Sequence, residues 1–121
     1  MSCPFCSKNL KIEKENKLAF AIYDKYPVNE GHLLIIPKRH VSNYFDTTNE
    51  ERVSMNKLLD ECKEMLDQTF SPDGFNIGIN CGETAGQTIF HVHMHLIPRY
   101  KGDMEDPRGG VRGVIPEKQH Y

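Results

Sequence analysis

The sequence predicts one α+β domain in which an antiparallel sheet of about five strands packs one face on a single long helix. Three observations carry this reading. Apolar and polar residues alternate through Phe75–Asn80 and again through Phe90–Arg99, the period of a strand with one face on a core. Between Thr48 and Phe70 the apolar residues Met55, Leu58, Leu59, Cys62, Met65, Leu66 and Phe70 recur instead at helical spacing, behind a Thr48-x-x-Glu51 capping box. Finally, 121 residues at 38% hydrophobic content supply a core for one domain and not for two.

Taken in order, the chain opens on Cys3-Pro4-Phe5-Cys6. A thioredoxin-like pair would follow a strand and open a helix, and neither context fits here. The C-x-x-C at residues 1–7 therefore reads as half of a zinc knuckle whose remaining ligands lie far along the chain; an unligated pair at a flexible terminus is the alternative. Lys11–Asp24 reads as a short strand, a polar turn at Glu15-Asn16-Lys17, and a second strand through Leu18, Phe20 and Ile22 that ends at Asp24. After the turn Val28–Gly31, the apolar, β-branched run His32–Pro37 has strand length and is closed by Pro37-Lys38-Arg39-His40. The helix that follows Thr48 stops at Ser71-Pro72-Asp73-Gly74, and Cys62 on its stripe is a small buried hydrophobe. Phe75–Asn80 then pairs with Phe90–Arg99 across the loop Cys81–Thr88. Gly82 and Gly86 let that loop's backbone approach a ligand, while Gln87 and Thr88 offer neutral hydrogen-bonding groups. Residues 101–121, rich in Pro and Gly and carrying Arg108, Arg112 and Lys118, form a C-terminal tail beyond the domain at residues 1–100.

Charge and composition exclude several classes of function. A formal charge of −2 and a pI near 6.3 argue against a broad nucleic-acid-binding or anionic-membrane surface, so any anion site is local. No apolar run approaches the ~20 residues of a membrane span, and MSCPFCSKN lacks the apolar core of a signal peptide. A cytoplasmic protein is expected. Its four cysteines then serve as core residues, reactive thiols or metal ligands and not as disulfides.

The chemistry centres on His91, His93 and His95. Alternation in a regular strand sends the three rings to one face and Val92, Met94 and Leu96 to the other. One metal ion cannot take all three, because His91 and His95 would stand roughly 13 Å apart along the strand while metal–nitrogen bonds are about 2 Å. A division of labour fits better: a nucleophile in the middle, a neighbour managing protons or phosphate charge, and one ring free for another task.

His91-Val92-His93-Met94-His95-Leu96-Ile97 resembles the His-φ-His-φ-His-φ-φ signature of the histidine triad (HIT) family of nucleotide hydrolases and transferases, and Ala85-Gly86-Gln87-Thr88 and Pro98-Arg99 fit the same pattern. The resemblance covers roughly Cys3 to Tyr100. It implies hydrolysis or transfer at the α-phosphate of a purine (adenine) nucleotide derivative, such as a dinucleoside polyphosphate, through a nucleotidyl-histidine on His93. A nucleoside phosphoramidase and a non-catalytic nucleotide-binding regulator are the alternatives. By the same resemblance His95 and Gln87 are catalytic, with Phe5, Ile22, Asp24, Asn80 and Thr88 completing the nucleotide site. The family's zinc-binding branch implies a structural zinc held by Cys3, Cys6, His40 and His91. His32 is expected near the triad as a proton relay, and Arg112 near phosphate in a homodimer.

Overall fold

A computed structural model describes residues 3–121. Strands β1 (Lys14–Glu15), β2 (Ala19–Tyr23), β3 (Leu33–Pro37), β4 (Gly74–Ile79) and β5 (Met94–Arg99) form one antiparallel sheet in the order β1-β2-β3-β5-β4. Helix α1 (Asn49–Phe70) crosses one face of it. Small Ala19 and Ala21 admit the helix closely, and Leu33, Ile35, Met94 and Leu96 meet its buried Met55, Leu58, Cys62 and Leu66. The opposite face is also apolar at its centre, where Phe20, Ile22, Leu34 and Ile36 gather around Phe5. Covered on both sides, β3 is buried at every position, which is why its sequence shows no alternation.

The capping box forms as expected. Thr48 Oγ1 accepts from the Glu51 N–H at 3.0 Å, and the Glu51 carboxylate accepts from the Thr48 N–H at 2.8 Å. Glu51 is also buried against Arg39, which donates to both carboxylate oxygens at 2.9 and 2.8 Å and holds its carboxyl down at about 2. That pair ties α1 to the segment carrying His40. The helix ends where Ser71 takes the left-handed conformation at φ 50°.

One expectation about strands holds and one is corrected. The short first strand forms as the pair Lys14–Glu15 and is closed by the turn at Asn16, whose Oδ1 accepts from Leu18 and Ala19 and whose Nδ2 donates to Ser54 O on α1. The triad strand begins at Met94 and not at Phe90. The register Leu33↔Leu96, Leu34↔His95, Ile35↔Met94 runs out as β3 reaches Pro37, which has no N–H to donate and whose carbonyl accepts from the His91 ring at 2.7 Å. Val92 instead donates to Val41 O at 2.8 Å, so Phe90–His93 leaves the sheet.

Residues 101–121 are folded back on the sheet through 3-10 turns at Gly110–Val114 and Pro116–Lys118. Gly109 permits the return. Its φ is 88°, and a Cβ there would overlap the Gln119 carbonyl. No helix among the described residues is long and apolar enough to cross a membrane.

Candidate functional site

The early end of the ladder divides the triad. His91, outside the sheet and fully buried, faces the knuckle, whereas His93 and His95 line a cavity of about 330 Å³ over the second face. The expectation of three rings sharing one strand face is thus corrected: a residue in β5 and one just before it serve the cavity, and the first serves another cluster.

Hydrogen-bond partners fix the protons on these rings. The nearest partner of His93 Nδ1 is the His91 carbonyl at 2.9 Å, which can only accept, so Nδ1 carries a hydrogen and the neutral ring has its lone pair on Nε2. For His95 the chain of reasoning is longer. His32 Nδ1 accepts from the Val28 N–H at 3.0 Å, so the hydrogen of His32 lies on Nε2, which stands 3.0 Å from His95 Nδ1. His95 Nδ1 therefore accepts, and its Nε2 carries the hydrogen. Burial, with His93 and His32 alongside, pushes the His95 pKa down to about 4, and burial likewise lowers His32. A bare imidazole nitrogen thus sits beside an imidazole N–H, the two ring centroids 5.1 Å apart.

Around this pair the structure gathers most of the residues expected at a nucleotide site. Phe5, Ile22, Asp24, Asn80 and Thr88 line the cavity with His93 and His95. Asp24 is tied down by the Tyr26 N–H at 2.9 Å, and its free oxygen lies 3.5 Å from His32 Nε2. Gln87 is a correction. It is 3% exposed, its Oε1 accepts from Gly82, and its Nε2 donates to Ser42 O and Ile89 O, so both ends of the amide hold the loop and neither faces the cavity. Arg112, expected near phosphate across a homodimer, has its guanidinium over the Tyr121 ring at 4.8 Å and lines neither this cavity nor the neighbouring one of about 530 Å³ beyond His95, which Asp24, His32 and the Gly110–Val114 turn enclose. Lys25 and Tyr26, which also line the first cavity, carry no spacing signal that would have singled them out.

Cys3, Cys6, His40 and His91 converge, with one ligand atom of each lying within 4.8 Å of all the others. His91 Nδ1 is 3.5 Å from Cys3 Sγ and 3.6 Å from Cys6 Sγ, and His40 Nδ1 is 3.4 Å from Cys6 Sγ. A tetrahedral zinc with bonds of about 2.3 Å to sulfur and 2.0–2.1 Å to nitrogen spaces such atoms about 3.6 Å apart. The tautomer fits as well: His91 donates its Nε2–H to Pro37 O, leaving Nδ1 bare toward the thiols, the second-sphere arrangement of a metal-bound histidine. The four residues can hold zinc.

Fold and site together define a histidine triad protein, and the chain belongs to that family, whose HIT domain profile matches residues 9–102. It is 41% identical over 106 residues to an uncharacterized HIT-like protein of Mycoplasma pneumoniae, covering 83% of this chain and 73% of that one. It is 36% identical over 103 residues to the bis(5'-adenosyl)-triphosphatase of Dictyostelium discoideum, covering 85% and 69%. A zinc-bound histidine triad family protein from Mycobacterium smegmatis superposes with a TM-score of 0.78 at 34% identity, over 87% of this chain and 80% of that structure.

Proposed function

We propose that the protein is a hydrolase or transferase acting at the α-phosphate of an adenine nucleotide derivative, with dinucleoside polyphosphates as the leading substrate class. The observation that carries this is the pairing of a bare Nε2 on His93 with an Nε2–H on His95 over one cavity. His93 Nε2 attacks phosphorus while the bond to the leaving group breaks, and that phosphate departs as an anion with His95 Nε2–H donating a hydrogen bond to its oxygen. Water then attacks the nucleotidyl-histidine, the P–N bond breaks to free His93, and the proton of the water passes to solvent. Phe5 and Ile22 hold the base, and Asp24 accepts from the ribose hydroxyls. Asn80, Thr88 and the backbone around Gly86 bracket the phosphate, where positioning and electrostatics supply most of the rate. Gln87 is a positioning residue that holds this loop. Mass spectrometry of acid-quenched enzyme is the test: wild type is expected to show a nucleotide adduct on His93. His93→Ala should lose at least a hundredfold in turnover with nucleotide affinity changed only a few-fold.

The cavity beyond His95 favours a second reading, nucleoside phosphoramidates. Of the residues lining it, Asp24 is the one with a formal charge, so a polyphosphate leaving group meets no counter-charge there, whereas Val28, Ile77 and Ile97 suit an uncharged one. Comparing kcat/KM for a dinucleoside polyphosphate and an adenosine phosphoramidate separates the two.

The same reading includes a structural zinc on Cys3, Cys6, His40 and His91 in a reducing cytoplasm that keeps both thiols free. Four protein ligands leave no open position for water, so the ion holds the knuckle and takes no part in the steps above. Elemental analysis of tag-free protein should return one zinc per chain.

A further inference from the structure

The knuckle carries a residue of the other site. Phe5 lies between the two thiols on the single 3-10 turn Pro4–Cys6. It is buried, and its ring stands edge-on to His93 with centroids 5.0 Å apart and 6.0 Å from the His91 ring. With Ile22 and His93 it walls the cavity assigned above to the nucleoside. Among the described residues little else secures the turn. Cys6 donates to Cys3 O within it, and the next backbone hydrogen bond that reaches the sheet is Glu13 to Ala21. The turn is held to the body by Phe5 itself and by the cluster that brings Cys3 and Cys6 onto His40 and His91. A second route runs through His91, whose ring belongs to the cluster and whose carbonyl fixes the His93 hydrogen.

We propose that the metal site and the nucleotide site are thermodynamically linked, with Phe5 as the positioning residue that carries the coupling. This rests on reading the cavity as a nucleoside site and the cluster as a zinc site. Filling the cluster orders the turn and sets Phe5 against the base, so the ordering cost is met before the nucleotide arrives. A bound base, by packing on Phe5, in turn holds Cys3 and Cys6 in ligating position. Linkage requires the two effects to be equal: the factor by which zinc tightens nucleotide binding is the factor by which nucleotide tightens zinc binding, and couplings of this kind are typically on the order of tenfold.

The test uses adenosine monophosphate, which has no leaving group to lose. Its affinity is measured by calorimetry on zinc-loaded and chelator-stripped full-length protein, with circular dichroism checking that both are folded. Zinc affinity is measured by competition with a chromogenic chelator, without nucleotide and at saturating nucleotide. The expected result is a gain of about tenfold in both directions. In Phe5→Leu, which keeps all four ligands and one zinc per chain, saturating nucleotide should protect zinc several-fold less than in wild type. Equal nucleotide affinity in loaded and stripped protein overturns the linkage and leaves the nucleotide site intact. Binding to neither form overturns the nucleotide reading itself. Should the stripped chain unfold, the Phe5→Leu comparison decides on the zinc-loaded protein: nucleotide protection of zinc that is undiminished in the variant removes Phe5 from the coupling.

Discussion

At the scale of single residues, two adjacent imidazoles differ in which nitrogen holds the proton, and His32 settles that for His95. Replacing His32 by Ala leaves His95 free to take either tautomer. The expected result is a fall in kcat of tenfold or more with little change in KM, read by steady-state kinetics at neutral pH. His32 and His95 also contribute to the acid sensitivity of the fold. Both pKa values are lowered by burial, His95 to about 4, so the unfolded chain takes up protons near pH 6.5 that the folded chain refuses. Their contribution to stability is complete above about pH 6.5 and is lost as the pH falls toward 4. Denaturant unfolding across that range should show the decline, and His32→Ala should flatten it.

At the scale of elements, the N-terminus of α1 rests on its capping box. Thr48→Ala should cost about 1 kcal/mol, a drop of roughly 4 °C in Tm by calorimetry, with the helix otherwise intact. Much of this layer was legible in the sequence. The Thr48-x-x-Glu51 box, the 3.6-residue stripe and the alternation of Phe75–Asn80 are local signals, and each element forms within a residue of where they place it. What could not be read depended on partners distant in sequence. The triad strand starts late because the Pro37 carbonyl is taken by a ring 54 positions away. Gln87 turns inward because Ser42 O, 45 positions away, completes its amide. The cluster of Cys3, Cys6, His40 and His91 was legible only through family likeness, since nothing in the spacing of the C-x-x-C points to His40 or His91.

At the scale of the whole molecule, β4 is an open edge of the sheet, and Ile77 on it is 49% exposed beside exposed Val111 and Val114. An uncharged, apolar edge of this kind invites a second copy, and pairing of two β4 strands would give the homodimer expected from the sequence. Light scattering should give the mass of two chains, and Ile77→Lys should shift it toward one. The tail belongs to this scale too. Because Gly110–Val114 encloses the cavity beyond His95, truncation after Tyr100 should raise KM several-fold for substrates with bulky leaving groups and leave affinity for the nucleoside monophosphate unchanged. Kinetics on the truncated protein check this.

The groups that assign the protons of the two cavity histidines belong ultimately to the main chain: the Val28 N–H, acting through His32, and the His91 C=O. Main-chain groups survive almost every point mutation. On the function proposed above, residues around the cavity can therefore change, exchanging one base or one leaving group for another, while the nitrogen proposed to attack and the nitrogen proposed to donate keep their identities. Diversification of substrate and constancy of chemistry are separable in such a scaffold, because the first is encoded in side chains and the second largely in the backbone.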